Sequence, residues 1–179
     1  MSWDCTFKDA DTSDYVVGQV WGTCGAQYFL LDQVRARMSF SGTLRAIETM
    51  SLKWPLALTK LVEAKANGPA VVDMLKAKIP GLLLVEPLGG KEARANAIEP
   101  LWEAGNVFVP GPDNDIDSEA NGESWVPAFI EELVHFGASI HDDQVDAMSQ
   151  ALLYLSGRSA RLQTFEASMQ NIGTTTGWW

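Results

Sequence analysis

The chain has few cysteines, few basic residues and no long hydrophobic run, and each shortage excludes a class of protein. Among its 179 residues only Cys5 and Cys24 carry thiols, which is too few for a disulfide framework. No Cys/His spacing matches a zinc site, and no apolar run approaches the roughly 18–20 residues that span a membrane. We therefore expect a protein of a reduced, cytosolic compartment, with buried thiols rather than a bridge and with no membrane contact.

The shortage of basic residues limits the ways in which the chain can bind nucleic acid. Its 13 Lys and Arg residues stand against 23 Asp and Glu residues, for a formal net charge of −10. This balance argues against a sequence-specific DNA reader, which usually presents a basic face. A DNA-cutting enzyme remains compatible with it, because divalent cations neutralise a carboxylate cluster and the scissile phosphate together. We expect weak DNA affinity for the isolated domain, since few phosphates can be neutralised.

Hydrophobic residues make up 46% of the chain, enough for one globular core at this length. Their β-branched and aromatic runs predict six strands, over residues 1–7, Tyr15–Gly22, Gln27–Val34, Leu56–Glu63, Leu82–Val85 and Asn106–Val109. Short connections between the first three predict an antiparallel meander. The continuous apolar run of the fifth strand is typical of a strand buried on both faces.

Helical periodicity predicts five helices, over Ser41–Trp54, Pro69–Lys78, Lys91–Ala104, Trp125–Phe136 and Asp142–Leu155. Ser41 is the expected cap of the first helix, and Gly105 is the expected C-terminal glycine of the third. Three antiparallel strands followed by alternating helices and strands predict an α/β fold, a mixed sheet with helices on both faces.

The domain organisation follows from where this periodicity stops. We expect one domain over residues 1–155 and a polar C-terminal tail over 156–179 that is partly disordered. A natural domain rarely opens inside its central sheet, so we expect a fragment of a longer protein with an added Met1.

Two acidic residues interrupt apolar strands. Asp4 lies between Trp3 and Cys5 in the first strand, where a buried carboxylate needs a partner or a cation to offset its desolvation. Glu63 ends an apolar strand just before a turn. Each also has a purely structural explanation. Asp4 can be a hydrogen-bonded residue at a strand end, and Glu63 can be a residue that emerges into solvent.

The most informative segment is residues 141–147 (HDDQVDA). Asp142, Asp143 and Asp146 open an otherwise apolar helix, and this spacing places at least two carboxylates on one face. A carboxylate pair at about 4 Å repels by roughly 1–4 kcal/mol, depending on screening. The alternative is helix capping, in which each acid gains about 0.3–1 kcal/mol from the helix dipole. Capping explains Asp142 or Asp143 better than Asp146, so the segment favours metal binding.

Taken together, these segments resemble the nuclease domain of the terminase large subunit of tailed bacteriophages and related viruses. The resemblance covers most of residues 2–155. Residues 2–8 (SWDCTFK) with 13–15 (SDY) resemble the family's first acidic motif, 62–68 (VEAKANG) resemble the second and 141–147 resemble the third. Each motif is modest, but their order and spacing together are specific.

The resemblance implies a ribonuclease H-like fold and a metal-dependent DNA endonuclease that cuts concatemeric viral DNA. It implies two divalent ions, Mg²⁺ or Mn²⁺, of which one activates a water and the other stabilises the leaving 3′ oxygen. The implied catalytic triad is Asp4, Glu63 and Asp143. The implied assisting metal ligands are Asp142, Asp14 and Asp146. Whether Asp142 or Asp143 ligates the metal directly stays open.

Four residues are candidates for DNA contact. Lys91 and Arg94, one turn apart on a predicted helix, are interpreted as contacts to the DNA backbone, with a solvated helix face as the alternative. Lys65 lies in the second motif. His141 precedes the acidic cluster and is a candidate for orienting a carboxylate or a phosphate, with an ordinary loop histidine as the alternative.

The resemblance also implies partners and a location. Double-stranded DNA is the implied substrate, and the terminase ATPase domain, the small terminase subunit and the portal are the implied partners, in the cytoplasm of the infected host cell. One alternative is a Holliday-junction resolvase or ribonuclease of the same fold. A second is a non-catalytic, acidic cation-binding docking module of a packaging machine.

Overall fold

A six-stranded mixed sheet forms the centre of the protein. The computed structural model describes residues 1–5, 15–111, 125–138 and 141–157. The strands are β1 (Ser2–Asp4), β2 (Val16–Cys24), β3 (Gln27–Ala36), β4 (Lys60–Glu63), β5 (Leu82–Val85) and β6 (Val107–Phe108). Their spatial order is β5-β4-β1-β2-β3-β6. Strands β1, β2 and β3 are antiparallel, whereas β4 runs parallel to β1, β5 to β4 and β6 to β3.

Five helices are described around this sheet. They are α1 (Phe40–Lys53), α2 (Gly68–Leu75), α3 (Lys91–Glu103), α4 (Val126–Val134) and α5, over residues 143–157. One buried cluster joins α1 and α2 to the sheet through Ile47 and Leu75, and another joins α3, α4 and α5 through Ile98, Phe129 and Leu152. The helices therefore cover both faces, and the predicted α/β architecture is confirmed.

The position of β1 is fixed by a close approach to β2. Trp3 pairs with Gly18 in the antiparallel register, and its ring is fully buried. A Cβ atom at position 18 would lie 2.4 Å from that ring, so only glycine leaves room for it. The next residue after Trp3 is Asp4, and the same packing therefore fixes where this carboxylate lies.

Several local expectations are wrong in detail. Ser39 rather than Ser41 caps α1, because its hydroxyl oxygen accepts the backbone N–H of Gly42 at 3.2 Å, while Ser41 is already helical. The fourth strand begins at Lys60, where backbone pairing with Gly81 starts, and Leu56 before it is 91% exposed.

The expected burial of β5 and of both thiols is also wrong in part. Strand β5 is an edge strand, so that Leu83 and Leu84 are 42% and 45% exposed instead of being covered on both faces. Cys5 is buried, but Cys24 is exposed because it ends β2 at the hairpin turn. In the residues that the structure describes, no helix is long and apolar enough to cross a membrane. Most of the predicted tail, and Asp14, lie outside the described residues.

Candidate active site

The carboxyl-terminal ends of two adjacent parallel strands bring Asp4 and Glu63 to one edge of the sheet. Trp3 pairs with Val62 in the parallel register, so the next residue on each strand ends it at the same level. Neighbouring strands lie about 4.8 Å apart. Both carboxylates are largely buried, with Asp4 4% and Glu63 9% exposed. Two acids far apart in the sequence are thus neighbours in the fold.

The amino terminus of α5 lies at the same end of the sheet. Asp143 and Asp146 are each 4% exposed. The backbone N–H of Tyr15 donates to Asp143 Oδ2 at 3.3 Å, and Tyr15 leads directly into β2, where Val17 is the cross-strand partner of Asp4. Asp143 therefore lies beside the sheet end that carries Asp4.

A cavity of about 190 Å³ opens between these elements. Its charged lining residues are Asp4, Glu63, Glu86, Arg94 and Asp146. The rest of its wall is mostly apolar and includes the Trp3 ring. Charged groups in such a confined, poorly solvated space interact more strongly than on an open surface.

Two basic residues of α3 are bound to these acids. Arg94 Nη2 lies 2.8 Å from Asp146 Oδ1 and 3.9 Å from Glu63 Oε1. Lys91 Nζ lies 2.5 Å from Asp142 Oδ1 and 2.8 Å from Asp146 Oδ2. Burial alone would lower the pKa of Lys91, but hydrogen bonds and charge from Asp142 and Asp146 raise it above the ordinary range, so Lys91 stays charged at neutral pH.

The burial of Arg94 corrects its sequence interpretation. A contact to DNA and a solvated helix face, the two interpretations that the sequence allows, both require an exposed guanidinium. Arg94 is only 4% exposed. Its partner Asp146 lies 52 residues away, and no local pattern signals such a pair. In this arrangement Arg94 neutralises a buried carboxylate.

The donor chemistry of the site suits a hard divalent ion, although the donors are not gathered around a single point. Carboxylate oxygens are the ligands that Mg²⁺ and Mn²⁺ prefer. Glu63 Oε1 is buried and accepts no hydrogen bond within the described residues, and its nearest charged groups are Lys65 Nζ at 3.3 Å and Arg94 Nη2 at 3.9 Å. Within the described ranges, however, no three His, Cys, Asp or Glu side chains are close enough to hold an ion. Metal binding would therefore require the carboxylates to move closer together, for example by Asp146 releasing Lys91 while it keeps Arg94.

Comparison with known families decides which group of proteins this arrangement belongs to. A family model described as a terminase RNaseH-like domain matches residues 1–155. The chain belongs to this family. A search of curated proteins found no match to this chain. The predicted family and the predicted ribonuclease H-like fold are both confirmed, and the family supports a nuclease role in DNA packaging, with DNA and the packaging machine as partners in general terms.

The terminase domain also contains a buried polar network that the sequence analysis missed. Glu132 on α4 is 5% exposed, and its Oε1 accepts the backbone N–H groups of Gln144 and Val145 at 2.7 and 3.2 Å. Its Oε2 accepts the Gln144 side-chain amide at 2.6 Å. A signal was present: Glu132 follows Val126 and Phe129 at helical spacing and therefore lies on the buried face of α4.

The network continues into the sheet of the terminase domain. Gln33 Nε2 donates to Gln144 Oε1 at 2.7 Å, Gln19 Nε2 donates to Gln33 Oε1 at 2.8 Å, and Trp21 Nε1 donates to Gln19 Oε1 at 3.0 Å. These bonds tie β2 and β3 to the first turn of α5. Because Gln144 is flanked by Asp143, the network determines where that carboxylate lies.

Three of the remaining predicted site residues lie in the described part of the chain. Lys65 is exposed and contacts Glu63. Asp142 is half-buried and paired with Lys91. His141 packs edge-on against Tyr15, with 5.1 Å between ring centroids. Asp14 belongs to the part of the chain that the structure does not describe.

Proposed function

We propose that this terminase domain is a metal-dependent DNA endonuclease that cuts concatemeric viral DNA during genome packaging. The observation that carries the proposal is the burial of Asp4 and Glu63 at adjacent strand ends, beside the acids of α5, in a chain of the terminase family. Four buried carboxylates at one end of a sheet are costly unless cations neutralise them. A nuclease site is the function that uses such a cluster.

In this proposal Asp4, Glu63 and Asp143 hold two divalent ions, Mg²⁺ or Mn²⁺, with Asp142, Asp146 and Asp14 assisting. When bound, the ions supply an activated water and stabilise the leaving 3′ oxygen. The carboxylates would orient the ions, in a cavity whose wall is mostly apolar and includes Trp3. No side chain of the protein needs to act as a nucleophile.

Lys91 and Arg94 have separate roles in the proposal. Arg94, which is buried, holds Asp146 in place and limits the repulsion between Asp146 and Glu63. The Lys91 side chain is 46% exposed and competes with an incoming cation for Asp142 and Asp146. Once displaced, Lys91 is free to meet a DNA phosphate, and Lys65, 58% exposed beside Glu63, is placed to do the same.

Family membership supports the wider setting. We place the domain with the terminase ATPase domain, the small terminase subunit and the portal, acting on double-stranded DNA in the cytoplasm of the infected host cell. A pulldown of the portal and the small subunit with the full-length terminase tests these partners, and failure of both to associate would argue against this setting.

The nuclease proposal is tested with matched carboxamide variants in a plasmid-cleavage assay containing Mg²⁺ or Mn²⁺. Asp4→Asn and Asp143→Asn should each reduce cleavage by more than about 100-fold, since loss of even an outer-shell partner costs 10–100-fold. Asp73→Asn is the control, because Asp73 is an exposed acid of α2 that pairs with Lys76 and, within the described residues, lies outside the candidate site. Full cleavage by Asp4→Asn would refute the proposal and favour a docking module.

Substrate comparison separates the terminase activity from the other nucleases of this fold. We expect linear duplex DNA to be cut at least as fast as a four-way junction or an RNA–DNA hybrid. A preference of about tenfold or more for either of the latter would assign the site to a resolvase or a ribonuclease.

A further inference from the structure

Three basic or ionisable side chains surround the ring of Tyr15. The guanidinium carbon of Arg35 lies 3.8 Å from the ring centroid, and that of Arg37 lies 5.0 Å from it. The His141 ring meets Tyr15 edge-on at an interplanar angle of 82°. We call these four residues the Tyr15 cluster. Their convergence is unusual in a chain with a net charge of −10.

The geometry of the sheet explains why the cluster forms. Arg35 and Arg37 are two residues apart on and just after β3, so their side chains leave the same face. Val16 pairs with Ala36 and Val17 with Arg35, which places Tyr15 at the level of Arg37 on the neighbouring strand. Cation–π contact with the ring then holds the two guanidinium groups side by side.

Arg35 is also held by an ion pair with Glu132. Its Nη2 lies 3.5 Å from Glu132 Oε2, while the other oxygen of Glu132 is occupied by the backbone of α5. Arg35 Nε donates no hydrogen bond within the described residues. The guanidinium is therefore fixed in position; its Nε is buried, and the side chain as a whole is 22% exposed.

The cluster adjoins the candidate active site. The backbone N–H of Tyr15 donates to Asp143, and His141 is two residues before that acid. A cavity of about 380 Å³ lies beside Arg35 and His141 and is also lined by His135, Glu131 and Glu132. Of the two acids, Glu132 is already compensated by Arg35 and the α5 backbone, and Glu131 is exposed and able to turn to solvent.

We propose that the Tyr15 cluster binds the phosphodiester backbone of the DNA strand that leads to the carboxylate edge. This proposal rests on the proposed nuclease function, because it names where the substrate of that site is held. Arginine guanidinium groups match phosphate oxygens with paired N–H donors, and contacts of this kind position DNA without reading its sequence.

The test is fluorescence anisotropy of a labelled DNA duplex with the full chain, in EDTA so that no cleavage occurs. Arg37→Ala should weaken binding roughly tenfold, the loss expected for a hydrogen bond to a charged group. It should also reduce the slope of log K against log salt by about one, uniformly across DNA sequences. Arg35→Lys, which keeps the charge but loses the planar fork, should weaken binding less.

Arg45→Ala is the matched control, because Arg45 is an exposed arginine of α1 outside the cluster. It should bind DNA like the unsubstituted chain. Equal losses in Arg45→Ala and Arg37→Ala would show a general charge effect and overturn the proposal. So would unchanged binding and slope in Arg37→Ala, which would leave the cluster a structural stack, or undetectable binding by the unsubstituted chain at low salt.

Asp4→Asn separates this proposal from the nuclease function. It should bind DNA normally in the EDTA binding assay and fail to cut in the plasmid assay with Mg²⁺. If Asp4→Asn still cuts but Arg37→Ala binds weakly, the phosphate contact stands and the proposed catalytic site fails. If Asp4→Asn fails to cut and Arg37→Ala binds normally, only the phosphate contact fails.

Discussion

The carboxylate of Glu132 holds Gln144 at both its backbone N–H and its side-chain amide, at 2.7 and 2.6 Å. The first N–H groups of a helix have no partner within that helix, and here a side chain from a different helix caps them. A negative charge at this end also interacts favourably with the dipole of α5. Helix α4, which carries no predicted catalytic residue, therefore positions the acids of α5.

The first prediction concerns this cap. In Glu132→Gln one carboxylate oxygen becomes an amide donor that faces donors of Gln144, so unfolding free energy should fall by about 1–3 kcal/mol. Urea denaturation measures the change, and plasmid cleavage should fall with it as Asp143 shifts. Glu131→Gln, the exposed neighbour, is the control and should leave both unchanged. An identical denaturation midpoint for Glu132→Gln and the unsubstituted chain would contradict the capping role.

The second prediction concerns the buried pair of Arg94 and Asp146. Replacing Arg94 with Met leaves the Asp146 carboxylate with only the half-exposed Lys91, and should destabilise the fold by roughly 3–5 kcal/mol. Adding Asp146→Asn should recover much of this loss, because the unpaired charge is then removed. Thermal and urea denaturation of both variants give the comparison. Additive losses in the double variant would show that the two residues do not stabilise one another.

The third prediction concerns the two thiols. Burial, followed by the charges of Asp4 and Glu63, raises the pKa of Cys5 well above its ordinary value. A thiol reagent at pH 8 should therefore modify the exposed Cys24 rapidly and Cys5 only after denaturant is added. Mass spectrometry counts the modified thiols, with Cys24→Ser as the control that should stay unmodified when folded. Rapid labelling of Cys5 in that variant would contradict its burial.

The same raised pKa sets a direction for alkaline stability. The folded state keeps the Cys5 proton, whereas the unfolded thiol releases it above about pH 9, its ordinary pKa. The contribution of Cys5 is therefore complete below pH 9 and is lost as the pH rises further. Cys5→Ala, compared with the unsubstituted chain in urea titrations at pH 8 and pH 10, should show a weaker pH dependence.

The sequence predicts those features of the fold that have a local cause. The β2–β3 hairpin follows from two β-branched runs around Gly25, and the end of α3 follows from Gly105, whose φ is +68°. The exposure of β5 depends on its place at the edge of the sheet, and an apolar run of four residues carries no information about that place.

The candidate site likewise contains residues that the sequence predicts and residues that it does not predict. The sequence points to Asp4 because it interrupts an apolar strand, to Glu63 because it ends one, and to the segment with Asp142, Asp143 and Asp146 because it opens an apolar helix, whereas Asp143 is singled out from that segment only by the family resemblance. The burial of Arg94 depends on an acid from a distant helix and has no local signal. The burial of Glu132 is indicated by its helical spacing from Phe129. Apolar periodicity alone does not reveal it, because the residue on the buried face is a carboxylate.

The central place of β1 has a consequence for how the protein is made. The first strand pairs with both β2 and β4, and the Tyr15 N–H meets Asp143 across 128 residues of sequence. Long-range contacts of this kind form late and slowly. The carboxylates of β1 and α5 can therefore come together only after α5 has left the ribosome, well over a hundred residues after β1 has been synthesised.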